Sequence, residues 1–231
     1  MGQLATRLID ESSDFHVSAA ISSAGTLEEA RGAAVILDLT IPQVSAAVVD
    51  FGVRNGINVV VGTSGWSGDR IAKLSTTLQG FSEVGVIIIP NFSLGSVLAT
   101  SFAAMAAKHF DSIEIVETHH AAKIDSPSGT AVRTAELIGQ ARRERGPVLA
   151  PHADQRARGQ QVASVPIHSL RLQGVLAKQD VIVAGAGETI TISHETLSPA
   201  SYEAGIMLAL RAAVSARGLT VGLDSLIDVG N

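Results

Sequence analysis

Along the first part of the chain, apolar and polar positions alternate between two rhythms. The runs "FHVSAAI", "AVILDL", "NVVVG" and "VGVIIIP" are short, apolar and rich in β-branched residues, and they predict strands. Between them, "PQVSAAVVDFGVRNG" and "SGDRIAKLSTTLQG" carry apolar residues at helical spacing, and "LATRLIDE" predicts a further short helix ahead of the first strand. Pro42 suits a first helical turn, while Gly56 and Gly80 stand where a helix stops. Strands that are apolar throughout and separated by helices predict a parallel sheet covered on both faces, which is the doubly wound pattern.

From residue 92 the rhythm changes. "SLGSVLATSFAAMAAKHF" predicts an amphipathic helix with Leu98, Phe102, Met105 and His109 along one side. The strand "SIEIVET" follows, then a helix from Thr130 to Glu144 with Ala131, Ala135 and Ile138 on one face, then a polar loop, "GPVLAPHADQRARGQQVA". Three closely spaced strands come next: "VPIHSLRLQG", "QDVIVAG" and "ETITISHE". Their short connections predict antiparallel neighbours, so this half is an α+β lobe with an open sheet. An open sheet needs a cover, and another copy of the chain is the expected one. The last helix, "PASYEAGIMLALRAAVSARG", and the tail after it return to the first lobe or bridge the two.

Composition narrows the function. The 231 residues suffice for two modest lobes, and no apolar run approaches the ~20 residues needed to span a bilayer, so a membrane is not expected as a partner. A net charge of −5 with scattered Lys and Arg, and 3% aromatic residues, argues against nucleic acid as well. With no cysteine there are no disulfides or thiolate metal sites, and a reducing cytoplasm fits.

The densest chemistry lies in "ETHHAAKIDSPSGTA", residues 117 to 131. Pro127, Ser128 and Gly129 predict a turn, and Thr130 opens a helix whose free N–H groups and dipole make an anion cup. That segment alone reads equally as an ordinary helix start capped by Ser128 or Thr130. His119, His120 and Lys123 beside it supply proton-bearing and cationic groups suited to a small carboxylate substrate and a proton transfer. A metal site would have to recruit His168 or Asp125 as a third ligand, and a nucleophilic Ser128 lacks an elbow or an orienting acid, so no metal is expected. A second group lies at two predicted strand ends: Gly62, Thr63 and Ser64 in "VVVGTSG", and Ile89, Pro90, Asn91 and Phe92 in "IIIPNFSLG". In open parallel sheets, ligands bind beyond the carboxyl ends of the strands.

Taken together, these residues resemble the 4-hydroxy-tetrahydrodipicolinate reductase family, also called dihydrodipicolinate reductase, of lysine and diaminopimelate biosynthesis. The family signature Glu-x-His-His-x-x-Lys-x-Asp-x-Pro-Ser-Gly-Thr-Ala stands complete from Glu117 to Ala131, and "VVVGTSGW", "IPNFSLG", "VPIHSLRLQG" and "GETITISHETL" match too. The resemblance implies reduction of a conjugated cyclic imine dicarboxylate by NADH or NADPH. It implies His119 as the acid/base group and Lys123 as the proton donor, with His120, Gly129 and Thr130 on the substrate's carboxylates. Gly62, Thr63, Ser64 and Ile89 to Phe92 would line the nicotinamide side. The fold implied is a Rossmann-like doubly wound sheet (residues 1–91 and 206–231) plus an α+β substrate-binding and oligomerisation domain with an open mixed sheet (92–205), assembled as a homotetramer.

The resemblance also has gaps. The family opens with a strand and a Gly-x-x-Gly-x-x-Gly turn, and this chain begins at the Met-Gly of that turn, so Gly2 corresponds to its third glycine. The sheet is therefore expected to lack its first strand, and cofactor binding and turnover are expected to be weak. Ser22 and Ser23 leave the choice of NADH or NADPH open. The alternative reading is a non-catalytic dicarboxylate-binding or assembly protein.

Overall fold

The computed structural model describes residues 1–227 and divides into two compact units: Met1–Leu94 with the chain from Tyr202 onward, and Gly95–Ser201. Among the described residues, no helix is long and apolar enough to cross a membrane.

The first unit is built on a parallel sheet of β1 (Val35–Asp38), β2 (Asn58–Val61), β3 (Gly85–Ile88) and β9 (Gly218–Val221), in the order β1-β2-β3-β9. Helices α1 (Gly2–Asp10), α2 (Pro42–Arg54), α3 (Gly68–Leu78) and α6 (Glu203–Val214) belong to the same unit. Every residue of β2 and β3 is buried, as expected of strands covered on both faces. Their side chains join Val49, Val53, Leu74 and Leu78 of α2 and α3 in one core cluster. Pro42 occupies the first turn of α2, and Gly56 takes a φ of 71° just beyond its end, where a side chain would be strained. Asn58 ties the helix layer to the sheet: its Nδ2 donates to the carbonyl of Ala213 (2.7 Å) and its Oδ1 accepts from the N–H of Gly85 (2.7 Å).

One expected strand does not form. "FHVSAAI" has no ladder partner among the described residues, and an extended segment without one is not a strand; β1 is the edge of this sheet.

The second unit holds a five-stranded mixed sheet in the order β5-β6-β4-β7-β8, with β4 (Ser112–His120), β5 (Gln160–Val162), β6 (Val165–Leu172), β7 (Ala177–Gly185) and β8 (Glu188–Thr196). The expectation that closely connected strands are neighbours holds for β7 and β8 but not for β6 and β7. β4 lies between that pair, parallel to β6 and antiparallel to β7. The short strand β5, inside the segment expected to be a loop, pairs with β6.

One face of this sheet packs on α5 (Gly129–Ala141), whose Ala131, Ala135 and Ile138 are fully buried with Ile113, Ile115, Ile167, Val181 and Val183. Helix α4 (Leu94–Ala106) corrects a second expectation. Its buried residues are Ser96, Ala99, Thr100 and Ala103, whereas Phe102 and Met105 of the expected apolar stripe are 47% and 46% exposed. Small side chains allow close backbone approach, which the larger residues would prevent; Ala103 and Ala107 enter the core cluster.

Candidate active site

The carboxylate of Glu117, on β4 and fully buried, organises the signature segment. His119, two residues on and therefore on the same face of the strand, places Nδ1 2.6 Å from Glu117 Oε2. Arg171 of β6, the register partner of His119, clasps both carboxylate oxygens at 3.0 Å each. The N–H of Ser128 donates to Glu117 Oε1 at 3.2 Å, which ties the turn before α5 to the end of β4. Burial pushes the Glu117 carboxyl up, but hydrogen bonds from Arg171, Ser169 and His119 and the Arg171 charge outweigh it and hold it below the usual range. Glu117 is therefore an anion, and the imidazole it faces donates through Nδ1–H, leaving Nε2 without the proton in the neutral ring.

Arg171 also reaches into the lysine loop, where Nε donates to the carbonyl of Lys123 at 3.3 Å and Nη2 to that of Asp125 at 2.6 Å. The ammonium of Lys123 sits on the Asp125 carboxylate, 2.7 and 2.8 Å from its two oxygens. That hydrogen bond, against a small desolvation, holds the Asp125 carboxyl below its ordinary value. Ser128 caps α5 by accepting from Ala131 N–H at 3.2 Å. The N–H groups of Gly129 and Thr130 then have no acceptor among the described residues, and the Cβ position of Gly129 is open. Both readings of "PSGTA" thus coexist: a capped helix start that keeps two amide donors for an anion.

His120 stands apart. It ends β4 on the face opposite His119 and is exposed; its carbonyl accepts from Lys123 N–H at 3.0 Å, while its imidazole makes no hydrogen bond or ion pair among the described residues. His168 is 2.7 Å from Glu114, which also holds Arg158, and no three potential metal ligands cluster among the described residues. The sequence motif contained Glu117, but its role as hub, and that of Arg171 more than fifty residues away, follow only from the pairing of β4 with β6.

In the first unit the strand ends converge as the parallel register requires. Asp38, 1% exposed at the end of β1, accepts from Thr40 N–H (3.0 Å), Thr40 Oγ1 (2.6 Å), Thr63 Oγ1 (3.0 Å) and Ser45 Oγ. Trp66 Nε1 donates to Ser45 Oγ at 2.9 Å and extends this network. A Cβ on Gly62 would lie 2.5 Å from the ring of Phe92 and 2.7 Å from Leu39, so the glycine is a packing necessity. Thr63, Ile89 and Phe92 are buried, whereas Ser64, Pro90 and Asn91 reach the surface. Helix α1 opens at Gly2, where a Cβ would meet nothing within 4 Å, and Met1 supplies no side-chain cap. Small polar residues at the carboxyl ends of parallel strands fit a dinucleotide.

Comparison with known proteins agrees with this geometry. The family model described as "Dihydrodipicolinate reductase, N-terminus" matches residues 1–92, and "Dihydrodipicolinate reductase, C-terminus" matches residues 95–227. The 4-hydroxy-tetrahydrodipicolinate reductase of Clavibacter sepedonicus is 62% identical over 229 residues, covering 99% of this chain and 83% of that protein. The protein of the same name from Streptomyces griseus is 43% identical, covering 99% of this chain and 94% of its own length. Among solved structures, the dipicolinate-bound dihydrodipicolinate reductase of Paenisporosarcina sp. TG-14 superposes with a TM-score of 0.81 at 26% identity, over 98% of this chain and 95% of that one. With both units matched in order, and with relatives of this identity along nearly its whole length, the chain belongs to the dihydrodipicolinate reductase family.

Proposed function

We propose that the chain reduces 4-hydroxy-tetrahydrodipicolinate to tetrahydrodipicolinate with NADH or NADPH, in lysine and diaminopimelate biosynthesis. It is an oxidoreductase whose residues 1–91 and 206–231 bind the dinucleotide. Residues 92–205 hold the substrate and assemble the chain as a homotetramer in the cytoplasm. NAD(P)H, when bound, supplies the hydride. Gly2, the counterpart of the third glycine of the family's turn, would open the helix of the cofactor-binding turn, and Gly62, Thr63, Ser64 and Ile89 to Phe92 would line the nicotinamide.

What the chain itself contributes is charge and a proton. The substrate is a ring with two carboxylates, and Gly129 N–H and Thr130 at the start of α5 hold one of them. His120, exposed at the end of β4 on the face opposite His119, would have to turn about the strand end to meet the carboxylates. Loss of the 4-hydroxyl as water gives the conjugated imine; hydride addition to it leaves a neighbouring carbon that needs a proton, and Lys123 Nζ donates it. His119, its Nδ1 fixed on Glu117, presents Nε2 as the acid/base group.

The observation that carries this reading is the 2.6 Å pairing of His119 with a buried carboxylate that also binds the turn opening α5. It supports the reading because an oriented imidazole and the turn that opens α5 then share one buried carboxylate. Oxidation of NAD(P)H on addition of freshly made cyclic substrate tests it. Turnover is expected; tight binding of dipicolinate with no turnover would instead make the chain a dicarboxylate-binding protein.

A further inference from the structure

We infer that Glu117 and Arg171 are the positioning residues of this site, the carboxylate setting the tautomer of His119 and the guanidinium fixing the loop that carries Lys123. The inference rests on the reaction proposed above, but adds residues that need not touch substrate.

The two form a bidentate pair inside the protein, with contacts of 3.0 Å on each oxygen and side chains 0% and 20% exposed. A pair so placed is a weak source of stability, because desolvation offsets most of the Coulomb gain. Its value lies in what else each partner holds. Glu117 Oε2 lies 2.6 Å from His119 Nδ1, and a carboxylate can only accept there. The neutral ring must then carry its proton on Nδ1, with Nε2 left as base; the protonated ring presents Nε2–H as acid. Glu117 Oε1 accepts from the N–H of Ser128, so the same group sets where α5 begins.

Arg171 works on the other proton-bearing group. It donates to the backbone carbonyls of Lys123 (3.3 Å) and Asp125 (2.6 Å), which bracket exposed Ile124. The lysine loop is thus pinned on both sides, so the reach of the Lys123 side chain starts from a fixed backbone. Fixing two donors relative to each other supplies the orientation that general acid–base chemistry requires. A lysine at position 171 could keep a charge near Glu117 but could not span both oxygens and both carbonyls.

The test is ring-nitrogen NMR on the full chain with NADPH bound, labelled at histidine and assigned with His119→Asn. The neutral wild-type ring is expected as the Nδ1–H tautomer; an Nε2–H ring would overturn the assignment whatever the variants do. Glu117→Gln, whose amide can either donate or accept, should mix the tautomers and lower kcat about tenfold or more with KM little changed. Arg171→Lys should lower kcat while leaving the tautomer as in wild type. Unchanged tautomer and kcat within about threefold in a folded Glu117→Gln chain would overturn the carboxylate's role. Unchanged kcat in Arg171→Lys would overturn the guanidinium's. A wild-type chain that gives no turnover would count against the reaction itself, while the tautomer would still be read independently.

Discussion

The ammonium of Lys123 lies 2.7 and 2.8 Å from the two carboxylate oxygens of Asp125, two residues further along an exposed loop. Asp125 is 61% exposed at its side chain, so the pair is well screened and costs little to part. A lysine held this way can exchange its partner for a substrate carbon and return. Lys123→Ala is expected to lower kcat about 10²- to 10⁴-fold with a smaller change in KM, and Asp125→Asn to have a far milder effect. Steady-state kinetics decides. A Lys123→Ala loss confined to KM would make the lysine a substrate anchor only.

Three glycines of the first unit are predicted to differ widely in their tolerance of alanine. At Gly205 a Cβ would lie 1.9 Å from the carbonyl oxygen of Phe92, which is backbone and has little room to give. At Gly62 it would lie 2.5 Å from the Phe92 ring and 2.7 Å from Leu39, side chains that can shift at some cost. At Gly2 nothing lies within 4 Å. Melting temperatures should therefore fall most for Gly205→Ala, by roughly 1–3 kcal/mol of stability for Gly62→Ala, and hardly at all for Gly2→Ala. Equal losses at all three would contradict the packing described around Phe92.

Arg142 at the end of α5 is 2% exposed and has no acidic partner within ion-pair distance among the described residues. Its guanidinium instead collects the carbonyls of Ala107 (2.8 Å), Gly146 (3.1 Å), Pro147 (3.1 Å) and Phe110. Burial holds its pKa below the ordinary arginine value, yet arginine stays protonated throughout the accessible pH range. Arg142→Met removes the donors and leaves buried carbonyls unsatisfied, at a cost of roughly 3 kcal/mol read by denaturant titration. Activity per folded molecule should be unchanged, since this cluster lies at the opposite end of α5 from Gly129.

Much of this architecture is legible in the sequence because local pattern and final environment agree. The apolar runs at β2 and β3 are buried on both faces, and the period of Ala131, Ala135 and Ile138 marks the buried side of α5. The reading fails where partners decide. "FHVSAAI" has the composition of a strand, but hydrogen-bonded pairing defines one, and it has no partner in the described residues. In α4 size outweighs hydropathy, so Ala99 and Ala103 face inward and Phe102 outward. At the site, His119 and Lys123 announce themselves as adjacent chemistry in one motif. Arg171 does not, because only the β4–β6 register brings it to Glu117.

The charge on Glu117 gives the second unit an acid limit. Its folded carboxyl titrates below its ordinary value of 4.5, because the partners that favour the anion outweigh burial. A depressed folded value means stabilisation that is complete above the unfolded value and is lost as pH falls through the folded one. Wild type should therefore lose stability more steeply than Glu117→Gln below about pH 4.3, with the two curves running parallel above it. Denaturant midpoints across that range check the sign. A wild-type curve no steeper than the variant's would mean that burial prevails and the carboxyl is protonated in the folded chain.

The face of the second sheet turned away from α5 carries His168, Leu170 and Leu172 of β6 beside Val116 and Thr118 of β4 and Asp180 and Ile182 of β7, by strand register. Leu170, Leu172 and Ile182 are 44%, 48% and 36% exposed. Exposed large apolar side chains on one face of an open sheet are a liability for a lone chain and an asset for an assembled one. If the chain assembles as proposed, this face is the expected contact, and on it Glu114 holds His168 and Arg158 beside the apolar residues. Leu170→Lys with Ile182→Lys introduces like charges where copies would meet, and the single chain has room for both because each site is already partly in solvent. Light scattering should give an assembled wild type and a smaller, still folded double variant. A wild type that runs as a monomer, or a double variant that assembles as well as wild type, would remove this face from the assembly.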